Sequence, residues 1–94
     1  MDDQESPREA PPEIGVYLSG ERRGADLAQF SAQHADMELH ERAPLWFGML
    51  VSLSVGDLPS FPGYVRSIEG TSIRIAFQPE LHQSVADSVN QTCF

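Results

Sequence analysis

From Ile14 onward, apolar and polar positions alternate with a period of two. Ile14, Val16 and Leu18 interleave with Gly15, Tyr17 and Ser19. That spacing predicts a half-buried strand. Ser19-Gly20-Glu21-Arg22-Arg23-Gly24 reads as a turn bracketed by glycines, and Ala25 to Phe30 as a returning strand. Ser31-Ala32-Gln33-His34 is polar enough for a second turn. Ala35, Met37 and Leu39 then alternate with Asp36, Glu38 and His40, which suits a third strand with one wet face. Residues 41–48 break the pattern: Pro44 and Gly48 bracket Leu45, Trp46 and Phe47. Met49, Val51, Leu53 and Val55 fall on one face and give the strongest strand signal in the chain. Gly56-Asp57 and Pro59 to Gly63 mark a loop. Tyr64 to Ile68 and Ser72 to Phe77, joined at Glu69-Gly70, read as a hairpin. After Phe77 the period changes. Pro79 suits the first turn of a helix, and Leu81, Val85 and Val89 lie four apart with Ala86 beside them. One helix over about residues 80–90, packed on the sheet, is expected.

Short strands about ten residues apart, closed by a helix, predict a mainly β fold. A six-stranded antiparallel β-barrel with a C-terminal helix is the expected architecture, since a small barrel is filled by one row of side chains. Residues 1–13, MDDQESPREAPPE, hold three prolines and five acids, with no large apolar residue except Met1. Such a stretch cannot bury enough surface to offset its ordering entropy, so a disordered acidic tail is expected before a domain at 14–94.

Charge narrows the classes. The 94 residues carry fourteen acids against six basic residues, for a formal net charge of −8. The tail carries half of it, five acids against Arg8. An acidic balance opposes non-specific binding to DNA or RNA, which needs a basic face. No run of about 18 apolar residues exists, so no membrane insertion is expected. No basic leader with an apolar core opens the chain, which argues against a signal peptide. The expected setting is the cytoplasm. All six basic residues are arginine: Arg8, Arg22, Arg23, Arg42, Arg66 and Arg74. Arginine suits bidentate contact with phosphate or a guanine edge, although a GC-rich genome gives the same bias.

Catalytic chemistry finds little support. Cys93 has no histidine beside it in sequence, and no Gly-x-Ser-x-Gly elbow occurs. His34, His40 and His82 lack metal-ligand spacing, and Glu38 and Glu41 are expected to be solvated. No glycine-rich phosphate loop is present. No residue set combines nucleophile, base and orienter, so an enzyme is not expected. Two features remain. Arg22-Arg23, with Arg8 from the tail, could close on a phosphorylated ligand; the simpler expectation is a solvated turn partly neutralised by Glu21. Trp46 and Phe47 could stack on a base or a protein partner. Because large aromatics gain transfer energy on burial, the expectation is that they plug one end of the barrel.

The order of elements over roughly residues 14–90 resembles a PilZ domain. Gly48-Met49-Leu50-Val51-Ser52-Leu53 resembles that family's glycine followed by an alternating apolar strand. Pro62 to Gly70 followed by Ile73 to Phe77 resembles its closing hairpin, with Arg74 where a glycine is usual. The resemblance implies a six-stranded barrel with a C-terminal helix. It also implies a bacterial signalling role, and many members bind cyclic di-GMP. The family's ligand motifs are altered here. Its Asp/Asn-x-Ser-x-x-Gly falls on Gln29 to His34, where only Ser31 matches. Gln29 replaces the acid or amide, and His34 replaces a glycine that permits a tight turn, so strain or a changed turn is expected there. Its Arg-x-x-x-Arg is half present, because Pro12 stands four residues after Arg8. By resemblance, the candidate ligand residues are Arg8, Arg22, Arg23, Gln29, Ser31 and His34. The expected function is an adaptor acting through a protein partner, contacted by Trp46 and Phe47, with cyclic di-GMP binding weak or lost. The alternative is a working cyclic di-GMP receptor with an altered arginine and serine site. No other cofactor or metal is expected.

Overall fold

A computed structural model describes residues 12–94. The alternating runs form β1 (Ile14–Leu18), β2 (Glu21–Phe30), β3 (His34–Leu39), β4 (Leu50–Val55), β5 (Phe61–Glu69) and β6 (Ser72–Phe77), followed by α1 (Gln83–Cys93). All neighbouring strands are antiparallel, and the sheet closes in the order β1-β2-β3-β6-β5-β4. The chain is thus a closed six-stranded antiparallel β-barrel with a C-terminal helix. The period-two pattern decides what points inward. Val16, Met37, Leu53, Val55, Val65 and Ile75 are almost wholly buried and fill the interior. Of the expected tail, Pro12 and Glu13 are described, and the Glu13 carbonyl accepts the N–H of Gly56 at 2.8 Å.

Besides β5, which begins at Phe61 and pairs Phe61, Pro62 and Gly63 with Leu53, Ser52 and Val51 where a loop is expected, three boundaries differ from the sequence expectation. The first hairpin turns in two residues, Ser19 and Gly20, both at positive φ (53° and 82°). That backbone fits a type I′ turn, whose twist matches the flanking strands. The six-residue turn is therefore replaced by pairing: Glu21, Arg22, Arg23 and Gly24 lie opposite Leu18, Tyr17, Val16 and Gly15. The second turn is also shorter. His34 is already in β3, paired with Ala76, because Ser31 closes the turn. The Ser31 hydroxyl accepts the N–H groups of Gln33 and His34 (3.3 and 3.2 Å) and donates to the His34 carbonyl (3.1 Å). Third, α1 begins at Gln83 rather than near residue 80. The His82 side chain accepts the Ser84 N–H and caps the helix, which leaves Pro79 outside it.

Each end of the barrel is closed differently. At one end Phe30, Phe61 and Phe77 pack with centroids 5.3 to 6.1 Å apart. The helix is fastened there: Leu81 N–H bonds to the Ala32 carbonyl and Asn90 Nδ2 to the Phe30 carbonyl. Ala86 and Val89 are its buried face. At the other end the connection 40–49 runs from β3 to β4, and its Ala43 and Leu45 pack on the core. Trp46 and Phe47 do not plug the barrel. They are 55% and 70% exposed. Leu45 supplies the inward contact, and the chain then turns sharply at 46–49.

Candidate functional site

The candidate ligand residues do not converge. Arg22 and Arg23 are neighbours in a strand, so they point to opposite faces. Arg22 lies on the outside: its guanidinium covers the Gly15 backbone, and its terminal nitrogen is 3.8 Å from Glu13. Arg23 lies opposite the fully buried Val16 and bonds to Glu21 at 2.9 Å. Its Nε is buried without a hydrogen-bond partner. Six residues of strand separate Arg23 from Gln29, about 20 Å at the usual rise. Gln29 is exposed beside Asp36. Ser31 is committed to its turn. His34 sits in an ordinary strand conformation, so the strain expected at that position does not arise. Arg8 lies outside the described residues.

The other polar groups are engaged structurally. Arg74 grips Asp36 with two bonds, Nε to Oδ1 at 2.6 Å and a terminal nitrogen to Oδ2 at 3.0 Å. The Arg74 hydrogen bond holds the Asp36 carboxyl below its ordinary pKa, against the opposing effect of burial. Ser72 and Thr71 donate to Glu38 and lower its pKa as well. His40 Nε2 lies 3.0 Å from Asp26 Oδ1 on the surface. Burial pushes the Cys93 thiol up, the opposite of what a nucleophile requires. Among the described residues no three His, Cys, Asp or Glu side chains are grouped to hold a metal, and no helix is long and apolar enough to cross a membrane.

What the fold does assemble is an exposed apolar face. Met49 N–H bonds to the Trp46 carbonyl at 3.2 Å and closes a turn across Phe47 and Gly48. Gly48 has φ 82°, the conformation a type II turn requires at its third position. The same glycine opens a β-bulge: its N–H bonds to the Val65 carbonyl (2.8 Å), and the Val65 N–H bonds to the Met49 carbonyl (2.9 Å). A bulge with glycine first and positive φ locks the turn onto β5. Trp46 and Phe47 are thus held outward by backbone geometry. Just beyond, Leu50 is 81% exposed and lies opposite Tyr64. A groove of about 540 Å³ runs along this outer face between Tyr17, Leu50, Ser52, Pro62, Tyr64 and Gln78.

The sequence pattern points to Trp46 and Phe47 but not to Leu50, Tyr64 and Tyr17. A local signal for Leu50 is nevertheless present. Leu50 is a large apolar residue at an outward position, between inward Met49 and Val51. Comparison with protein-family models, with curated proteins and with solved structures gives no match.

Proposed function

We propose that this chain is a PilZ-like bacterial signalling adaptor of the cytoplasm, which acts by docking a protein partner and not by catalysis. In this reading its binding of cyclic di-GMP is weak or lost. The observation that carries the reading is the aromatic turn at 46–49, clamped to β5 by two hydrogen bonds and displayed in solvent. Large apolar side chains fixed outward are costly to leave uncovered, and Trp is the residue type that most often anchors protein interfaces. A rigid turn also lowers the ordering cost of binding.

The loss of nucleotide binding is supported by geometry. A dianionic ligand needs converging donors. Here Arg22 and Arg23 diverge, Gln29 lies at the far end of the same strand, and Ser31 and His34 lie in the turn and strand that follow it. The test is calorimetric titration of the full chain with cyclic di-GMP. No saturable heat at micromolar concentrations is expected. A micromolar or tighter dissociation constant would overturn this part of the reading and restore the receptor alternative.

A further inference from the structure

We propose that the Trp46-Phe47 turn and the adjoining Leu50-Tyr64 face dock an acidic amphipathic segment of a partner protein. The partner's apolar residues would cover the aromatics, and its carboxylates would meet Arg66 and Arg42. This rests on the adaptor reading and names the chemistry of its partner.

Two arginines give this face its charge complementarity. The described residues hold five arginines. Three have a carboxylate within 4 Å: Arg22 with Glu13, Arg23 with Glu21 and Arg74 with Asp36. Among the described residues, Arg42 and Arg66 have none. Both lie in segments that carry or clamp the aromatic turn. Arg42 stands four residues before Trp46 in the same connection. Arg66 follows Val65, the residue that clamps Gly48 and Met49.

The backbone places Arg66 with some care. Val65 pairs with Ile75 and Ser67 with Arg74, so Arg66 is the extra residue of a second bulge, on the β6 side. Bulges re-aim the side chains they carry. On the β4 side, Leu50 pairs with Tyr64, and Gly48 with Met49 opposes Val65. Phe47 and Arg66 each lie one residue beyond the hydrogen-bonded pair Gly48 and Val65. Both are exposed. The positive charge therefore stands in solvent one residue from the clamp of the aromatic turn, where a partner can pair with it without losing all of its hydration.

Net charge makes the choice selective. The chain is at −8, so an acidic partner is repelled by most of the surface and favoured at the two arginines that have no carboxylate partner among the described residues. A basic partner would face the reverse. A second copy joined symmetrically through this face would bring Arg66 against or near its own counterpart, which disfavours self-association here.

The test uses the full chain and two synthetic amphipathic peptides. They share the same Leu and Phe positions and differ only in carrying Glu or Lys on the polar face. Binding is followed by fluorescence anisotropy of labelled peptide at low and high salt. Emission from Trp46, the single tryptophan, reports on the turn itself. The Glu peptide should bind at least about tenfold tighter than the Lys peptide, weaken with salt and blue-shift Trp46. Arg66→Glu combined with Arg42→Glu should remove or invert the preference. Arg66→Gln should reduce it, with an unchanged melting curve showing that the fold is intact. Trp46→Ala should abolish binding.

Equal binding of the two peptides, or preference for Lys, would overturn the inference while leaving a protein-docking role intact. Binding of neither would overturn it as well. So would sedimentation of the chain as a dimer with Trp46 already blue-shifted. The loss of nucleotide binding fails separately, through tight binding of cyclic di-GMP in the calorimeter.

Discussion

Leu50 and Leu53 lie three residues apart in β4 and face opposite ways, which gives a controlled comparison within one strand. Leu53 has no exposed surface; Leu50 is 81% exposed. Fully burying a leucine contributes about 1.5–3 kcal/mol. About a fifth of Leu50 is covered, so its share is about 0.3–0.6 kcal/mol, and Leu50→Ala should cost no more than that. Leu53→Ala removes a fully packed side chain from the barrel interior, where Val16 lies opposite it. Transfer and cavity costs together should reach about 2–5 kcal/mol. In a domain of this size each kcal/mol moves the midpoint by about 4–8 °C. Thermal unfolding followed by circular dichroism should therefore show a shift of at most about 5 °C for Leu50→Ala. For Leu53→Ala it should exceed about 8 °C. The peptide titration provides the second axis. Leu50→Ala should weaken docking while sparing the fold. If Leu50→Ala instead destabilises the chain as much as Leu53→Ala, Leu50 is buried in the folded protein. The exposed face would then be a structural contact and not a docking surface.

Two glycines separate steric from conformational cost. A Cβ at Gly63 would stand 2.4 Å from the Ala76 carbonyl oxygen across the β5–β6 ladder, so Gly63→Ala should cost more than about 2 kcal/mol in chemical denaturation. A Cβ at Gly48 would meet nothing within 4 Å, so Gly48→Ala should cost about 1 kcal/mol, from its positive φ alone, and should loosen the aromatic turn. Asp36 supplies a pH dependence. Its folded pKa is lowered, so its contribution is present above the unfolded value and lost as pH falls through the folded one. Asp36→Asn should flatten the acid limb of stability against pH below about 4, by less than about 1 kcal/mol because the Arg74 pair is partly exposed. An unchanged acid limb would mean that the pair is not formed in solution.

The fold was readable because each of its determinants is local. Ile14, Val16 and Leu18, or Ile73, Ile75 and Phe77, announce their inward face by alternation. The helix was legible from Leu81, Val85, Ala86 and Val89, although its start was missed because a capping histidine is a weak signal. The burial of Trp46 and Phe47 was misjudged for a nonlocal reason. Whether an aromatic in a connection turns inward depends on what already fills the barrel. Here Leu45 takes the position at one end, while three phenylalanines and α1 close the other. Composition alone cannot reveal that the interior is already full.

The ligand question turned on a smaller matter, the length of one turn. Arginines 22 and 23 can act together only where the backbone lets adjacent side chains face the same way, as a loop does and a strand does not. Ser19 and Gly20 adopt the two positive φ values of a type I′ turn, so the hairpin closes there and both arginines fall within paired β2. Period-two geometry then sends one guanidinium over Gly15 on the outside and the other side chain to the opposite face, where it bonds to Glu21. The opposite logic operates at 46–49. There a turn and a bulge interrupt the alternation, so that Trp46, Phe47 and Leu50 are all exposed, and Arg66 follows the residue that clamps the turn. Regular pairing disperses side chains of one kind across two faces, and irregular pairing gathers them. The exposed aromatic residues of this barrel are accordingly concentrated where its ladder is broken.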